Sequence, residues 1–99
     1  MSADAGLARA VVWIGGDVQG VGMRWWVDRQ ASSLGLVGSV QNLWDGRVQI
    51  DAQGRPDDVD ELVQLATSRP GPGGRPGRVL TTLVERRPAD PSLTRFDVH

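Results

Sequence analysis

Ninety-nine residues with 39% hydrophobic content and a formal charge of −1 suffice for one domain around one core. There is no cysteine and no lysine, and the single histidine is His99, so disulfides, thiolate nucleophiles, cysteine zinc sites, a P-loop lysine and an internal histidine-dependent triad are excluded. All eleven basic residues are arginines, no run is apolar enough to cross a bilayer, and residues 1–6 lack a basic segment followed by an apolar one. These features predict a cytoplasmic protein without a membrane anchor and without a global field for nucleic acid.

Taken in chain order, residues 1–7 are expected to be flexible. Residues 8–15 read as a buried central strand, because Val11, Val12, Trp13 and Ile14 form an almost wholly apolar run that stops at Gly15-Gly16. From Met23 the apolar positions Met23, Trp26, Val27, Ala31 and Leu34 repeat at helical spacing, with Gly35 as the stop. Trp25 falls off that stripe. Residues 37–44 and 47–52 predict a hairpin joined by the two-residue turn Asp45-Gly46 in type I′ geometry.

Pro56 then occupies a first-turn position, followed by Asp57, Asp58, Asp60 and Glu61, while Val59, Leu62, Val63 and Ala66 recur at helical intervals. The acidic cluster is what a helix dipole favours in a first turn, and it predicts no metal site. Residues 69–78 hold three prolines and four glycines, which predicts an exposed, flexible connection whose arginines 69, 75 and 78 are solvated. A strand over 79–84, a turn over 88–91 and a short strand over 95–98 complete the order β-α-β-β-α-β. That order predicts an α+β fold of the ferredoxin-like, split βαβ kind. Two helices would cover one face of a mainly antiparallel sheet, with the first and third strands central and room for a short extra C-terminal strand.

The chemistry concentrates at the first strand-to-helix junction, Val18-Gln19-Gly20-Val21-Gly22-Met23-Arg24-Trp25. Glycines there let the backbone fold closely around a ligand, and N–H groups entering a helix lie at the positive end of its dipole. Arg24 adds a planar fork that matches two phosphate oxygens. By pattern alone this junction is either an anion cradle or a tight connection.

With that loop and the hairpin placed, the chain closely resembles the acylphosphatase family. The run Gly15-Gly16-Asp17-Val18-Gln19-Gly20-Val21-Gly22-Met23-Arg24 is similar to the family's first signature, and Gly38-Ser39-Val40-Gln41-Asn42, followed by Gly46, to its second. The resemblance spans nearly the whole chain. It implies hydrolysis of acyl phosphates to a carboxylate and inorganic phosphate, without a metal or other cofactor, by in-line attack of water. Carried over by position, Gly16, Asp17, Val18, Gln19, Gly20, Val21 and Arg24 bind the phosphoryl group, and Asn42 positions the water. Catalysis thus falls to Arg24 and Asn42, in a monomer that binds small acyl phosphates and neither nucleic acid nor membrane.

Three features depart from the family pattern: Asp17, Ser39 and a Gly/Pro-rich segment before Val79 that is longer and looser than expected. Asp17 would repel a bound phosphate unless it points to water, and Ser39 stands where an aromatic side chain is usual. They motivate an alternative, a non-catalytic anion-binding or interaction module that keeps the fold. Single-stranded RNA binding is a third reading, disfavoured because the sheet lacks the aromatic and basic signature it requires.

Overall fold

The computed structural model describes residues 6–99. Most of the segment expected to be flexible, residues 1–5, lies outside the described residues; Gly6 and Leu7 are exposed where the first strand begins. The elements run β1 (Ala8–Asp17), α1 (Met23–Ser33), β2 (Val37–Asn42), β3 (Val48–Gly54), α2 (Pro56–Thr67), β4 (Arg78–Arg87) and β5 (Phe96–Val98). They form one sheet in the order β4-β1-β3-β2-β5, antiparallel throughout except for the parallel β2–β5 pair. The first and third strands are therefore central, as the split βαβ plan predicts, and β5 is the extra C-terminal strand.

The core lies between one sheet face and the two helices. Ala10, Val12, Ile14, Val40, Val48, Ile50 and Ala52 supply the sheet side; Met23, Trp26, Val27, Ala31, Val59, Leu62 and Ala66 supply the helix side, all buried. Each fully buried Val, Leu, Ile or Met side chain contributes roughly 1.5–3 kcal/mol. The helical stripes thus face inward as their spacing predicts. Beyond α1 the chain closes in a Schellman arrangement, with the Leu36 N–H donating to the Ala31 carbonyl at 2.9 Å and Gly35 N–H to Ser32 at 3.1 Å. Proline at the start of α2 and Asp57 and Asp58 in its first turn set its beginning.

The other sheet face carries polar pairs. Arg9 holds Asp51 through two hydrogen bonds of 3.0 and 2.8 Å, and Trp13 Nε1 donates to Gln49 Oε1 at 3.0 Å beneath the Arg87 guanidinium, 5.8 Å from the ring centre. Buried Gln53 fastens the connection between the sheet's outer strands: its Nε2 donates to the Asp90 carbonyl at 3.0 Å, and its Oε1 accepts the Asp90 N–H at 2.7 Å.

Five local expectations need correction. The first strand does not stop at Gly15-Gly16 but continues through a bulge there to Asp17, paired with β4. Gly16 permits this, because a Cβ on it would lie 2.5 Å from the Arg78 carbonyl oxygen. The hairpin turn is not a two-residue type I′ turn. Asp45 keeps a negative φ and only Gly46 turns positive, at 94°, giving a three-residue loop, Trp44-Asp45-Gly46, closed by Gly46 N–H on the Leu43 carbonyl at 3.2 Å. The Asp45 carboxylate secures it by accepting from the Arg47 N–H at 3.1 Å and Nε at 2.9 Å.

The strand expected over 79–84 runs from 78 to 87 because Glu85, Arg86 and Arg87 pair with β1 while their side chains stay solvated at the sheet edge. The turn expected over 88–91 sits two residues later: Leu93 N–H donates to the Asp90 carbonyl, and the Asp90 carboxylate accepts from the N–H and hydroxyl of Ser92. Finally, Arg69 and Arg75 are not simply solvated. Arg69 Nη1 donates to the Leu80 carbonyl at 2.7 Å and Arg75 Nη1 to the Leu65 carbonyl at 3.0 Å, tying the Gly/Pro-rich segment to β4 and α2.

Candidate active site

The end of β1, the start of α1 and the end of β2 meet at one end of the sheet. Buried Val18 and Met23 anchor the two feet of the intervening loop in the core. Between them the backbone takes φ of 73° at Gly20 and 88° at Gly22, the latter capping α1 without any side-chain cap. The first helical hydrogen bond is from Trp26 N–H to Gly22. Among the described residues, no intramolecular acceptor is found for the main-chain N–H groups of residues 19–25. These donors lie at the positive end of the α1 dipole, the arrangement that favours an oxyanion.

Gln19 sits inside this loop, yet its side chain turns away toward the β2–β3 hairpin. Nε2 donates to the Leu43 carbonyl at 2.7 Å and to the Arg47 carbonyl at 2.9 Å. The loop is therefore latched to the strand pair that carries Asn42. Arg24, on the first turn of α1, is half-buried, and its Nη1 donates to the main-chain oxygen of His99 at 2.6 Å. One corner of the guanidinium is held while the rest of the fork stays available.

Asn42 is the last residue of β2, paired with Val48, and is exposed. Its side-chain amide makes no intramolecular hydrogen bond among the described residues, so it is not spent on a local turn. Arg24, Asn42, Val18, Gly20, Gly22, Met23 and Trp25 line a cavity of about 130 Å³. That is roughly four times the volume a water molecule occupies in the liquid, room for a phosphoryl group and one attacking water. Two larger depressions lie elsewhere, between α2 and β4 and beneath the Gly/Pro-rich segment.

The expected site residues thus fall into groups. Arg24, Asn42, Val18 and Gly20 come together on the cavity, and Gln19 braces it. Val21 is 39% exposed beside it. Gly16 and Asp17 belong to the bulged end of β1, opposite Val79 and Arg78, and do not line the cavity. Asp17 is exposed to solvent at that strand end. Ser39, opposite Asp51 on the polar sheet face, does not line the cavity either.

Sequence reasoning missed Gly22 and Met23 as lining residues and His99 as the partner of Arg24, whereas Trp25, off the helical stripe, already reads as a candidate to shield the loop. Gly22 and Met23 immediately precede the motif arginine and were within reach of the same argument. His99 lies 75 positions from Arg24 and leaves no local signal.

Comparison with known proteins gives the family and the fold. The sequence profile of the acylphosphatase family matches residues 10–98. An acylphosphatase of Corynebacterium diphtheriae is 49% identical over 79 residues, covering 80% of this chain and 81% of that protein. The crystal structure of acylphosphatase from Bacillus subtilis superposes with a TM-score of 0.81 at 28% identity, over 93% of this chain and 98% of the other. An acylphosphatase structure from Coxiella burnetii gives a TM-score of 0.82 at 30% identity, covering 100% of both chains.

Proposed function

The chain belongs to the acylphosphatase family and hydrolyses acyl phosphates to a carboxylate and inorganic phosphate, and we propose that it does so with the loop amides and Arg24 holding the phosphoryl group and Asn42 placing the water. The observation that carries this reading is the convergence of Arg24, Asn42 and the unengaged loop N–H groups on one small cavity.

The chemistry suits this inventory. A carboxylate leaving group has a conjugate-acid pKa of about 4, so it departs as an anion without a proton from the enzyme. Phosphoryl transfer needs mainly alignment and stabilisation of charge on the equatorial oxygens. Loop N–H groups and the free side of the Arg24 fork would supply both. The Asn42 amide oxygen would accept a hydrogen bond from the water and aim its lone pair at phosphorus, opposite the departing carboxylate. Asn42 is no strong base, so the water's proton passes to a phosphoryl oxygen. Neither a metal ion nor a covalent enzyme intermediate takes part in these steps.

Residues 1–99 act in this reading as one domain. A cytoplasmic monomer that binds neither nucleic acid nor membrane accompanies it, supported by the formal charge of −1. No helix among the described residues is long and apolar enough to cross a membrane. The direct test of water attack at phosphorus is hydrolysis of acetyl phosphate in isotopically labelled water. Label in the phosphate supports the mechanism, and label in the acetate refutes it.

A further inference from the structure

The Gly/Pro-rich segment holds a second concentration of charge. Arg69, Arg75 and Arg78 line a cavity of about 360 Å³, walled also by Pro70, Val79 and Leu80, with no carboxylate among its lining residues. Arg9, Arg47, Arg86, Arg87 and Arg95 each have a carboxylate partner within 3.1 Å. Among the described residues Arg69, Arg75 and Arg78 have none, and neither do Arg24, Arg29 and Arg55, but the first three gather on one cavity; Asp17 is the register partner of Arg78. Arg69 and Arg78 are exposed, whereas Arg75 is half-buried, and burial alone pushes its guanidinium below the usual arginine value.

The forks are also preorganised. Arg69 and Arg75 are each held by one N–H on a main-chain carbonyl, which fixes the side chain and leaves its remaining donors free. The segment that lines this cavity packs against the end of β1 that leads into the catalytic loop. Arg78 and Val79 pair with Asp17 and Gly16, and Gly77 packs on Asp17 so closely that a Cβ there would clash with its carbonyl and lie 3.0 Å from Val21 Cγ2.

We propose that Arg69, Arg75 and Arg78 form a second oxyanion site beside the phosphate cradle, taking a carboxylate or phosphate group. Two sources share this chemistry: the far end of an acyl phosphate whose acyl part carries its own anion, and free inorganic phosphate. The first source rests on the acyl phosphate reading given above; the second does not.

The experiment has two arms. Succinyl phosphate and butyryl phosphate have equal chain length and differ by a terminal carboxylate. Wild type should show a kcat/KM ratio favouring succinyl phosphate by roughly tenfold, the effect of one charge-assisted hydrogen bond, carried mainly by KM. The ratio should fall toward one in Arg78→Gln, whose side chain makes no hydrogen bond that folding needs, and in Arg69→Gln should the first variant melt early. In the second arm, inorganic phosphate is titrated by calorimetry into Arg24→Ala, where the cradle is disabled. Binding that disappears in Arg24→Ala/Arg78→Gln assigns the site to free phosphate. A wild-type ratio near one together with no phosphate binding by Arg24→Ala overturns the proposal. Failure of wild type to hydrolyse even acetyl phosphate would strike the activity reading instead, and calorimetry would still decide the arginine site.

Discussion

The Arg24 guanidinium is held at 2.6 Å by the main-chain oxygen of His99, so a residue just past the short edge strand β5 orients the cation on the first turn of α1. His99 is itself fixed through its N–H, which donates to the Val40 carbonyl at 2.9 Å. Deleting His99 should release Arg24 into several rotamers, and re-ordering a long side chain costs about 0.5–1.5 kcal/mol. Steady-state kinetics with acetyl phosphate should then show kcat/KM lowered about three- to tenfold, while the thermal midpoint falls only by the loss of the one main-chain hydrogen bond to Val40. An unaltered kcat/KM would show that this main-chain oxygen does not position Arg24.

Gln19 joins the phosphate loop to the hairpin bearing Asn42. Gln19→Ala removes one of two donors from each of the Leu43 and Arg47 carbonyls, which keep the Gly46 and Leu43 N–H groups, a loss of about 0.5–1.5 kcal/mol per bond. Chemical denaturation should detect that loss, and kcat/KM should fall further than stability alone explains because the cradle and the water-placing residue lose register.

Asn42→Ala should lower kcat by about two to three powers of ten, the usual effect of removing one preorganised polar group, with KM changed less than threefold. A rise in KM at constant kcat would assign Asn42 to binding instead.

Gln53 lies far from the chemistry, 3% exposed, with both ends of its amide engaged by Asp90. Gln53→Ala should cost about 1–3 kcal/mol in denaturant unfolding and leave kcat/KM within twofold. A comparable loss of activity in the folded variant would contradict the separation of scaffold from site.

The Asp90 carboxyl is held below the usual aspartate range, first by the Ser92 hydroxyl and then by the Ser92 N–H. A depressed folded-state pKa contributes stability above the unfolded value, and that contribution is lost as pH falls through the folded pKa. In Ser92→Ala the larger cause is gone, so NMR titration should find the Asp90 midpoint moved upward toward the ordinary aspartate value. The carboxyl's contribution to stability should accordingly be smaller and its loss complete at a higher pH.

Much of this architecture is legible because it is written in local periodicity. The apolar run from Val11 to Ile14, the stripes of both helices and the alternation of Val48 and Ile50 place the layers and the strand order. Polar residues hide structure from the same rules. Glu85, Arg86 and Arg87 extend β4 through main-chain pairing that needs no apolar pattern. Asp45 looks like half of a type I′ turn but stays at negative φ, where its carboxylate can hold Arg47. At the site, the glycines, Arg24 and Asn42 stand in recognisable motifs. Gln19, which reads as a phosphate contact, acts through a side chain reaching 24 and 28 positions ahead, and no single-segment pattern carries that information.

The central claim is that Arg24 and the loop amides hold the phosphoryl group for hydrolysis without a metal. Phosphate release from acetyl phosphate, in excess chelator, by wild type and a folded Arg24→Ala variant tests it most directly. The account predicts undiminished wild-type turnover in chelator and a kcat/KM lower by about two to three powers of ten in Arg24→Ala. Equal rates for the two proteins, or wild-type activity abolished by chelator, would contradict it.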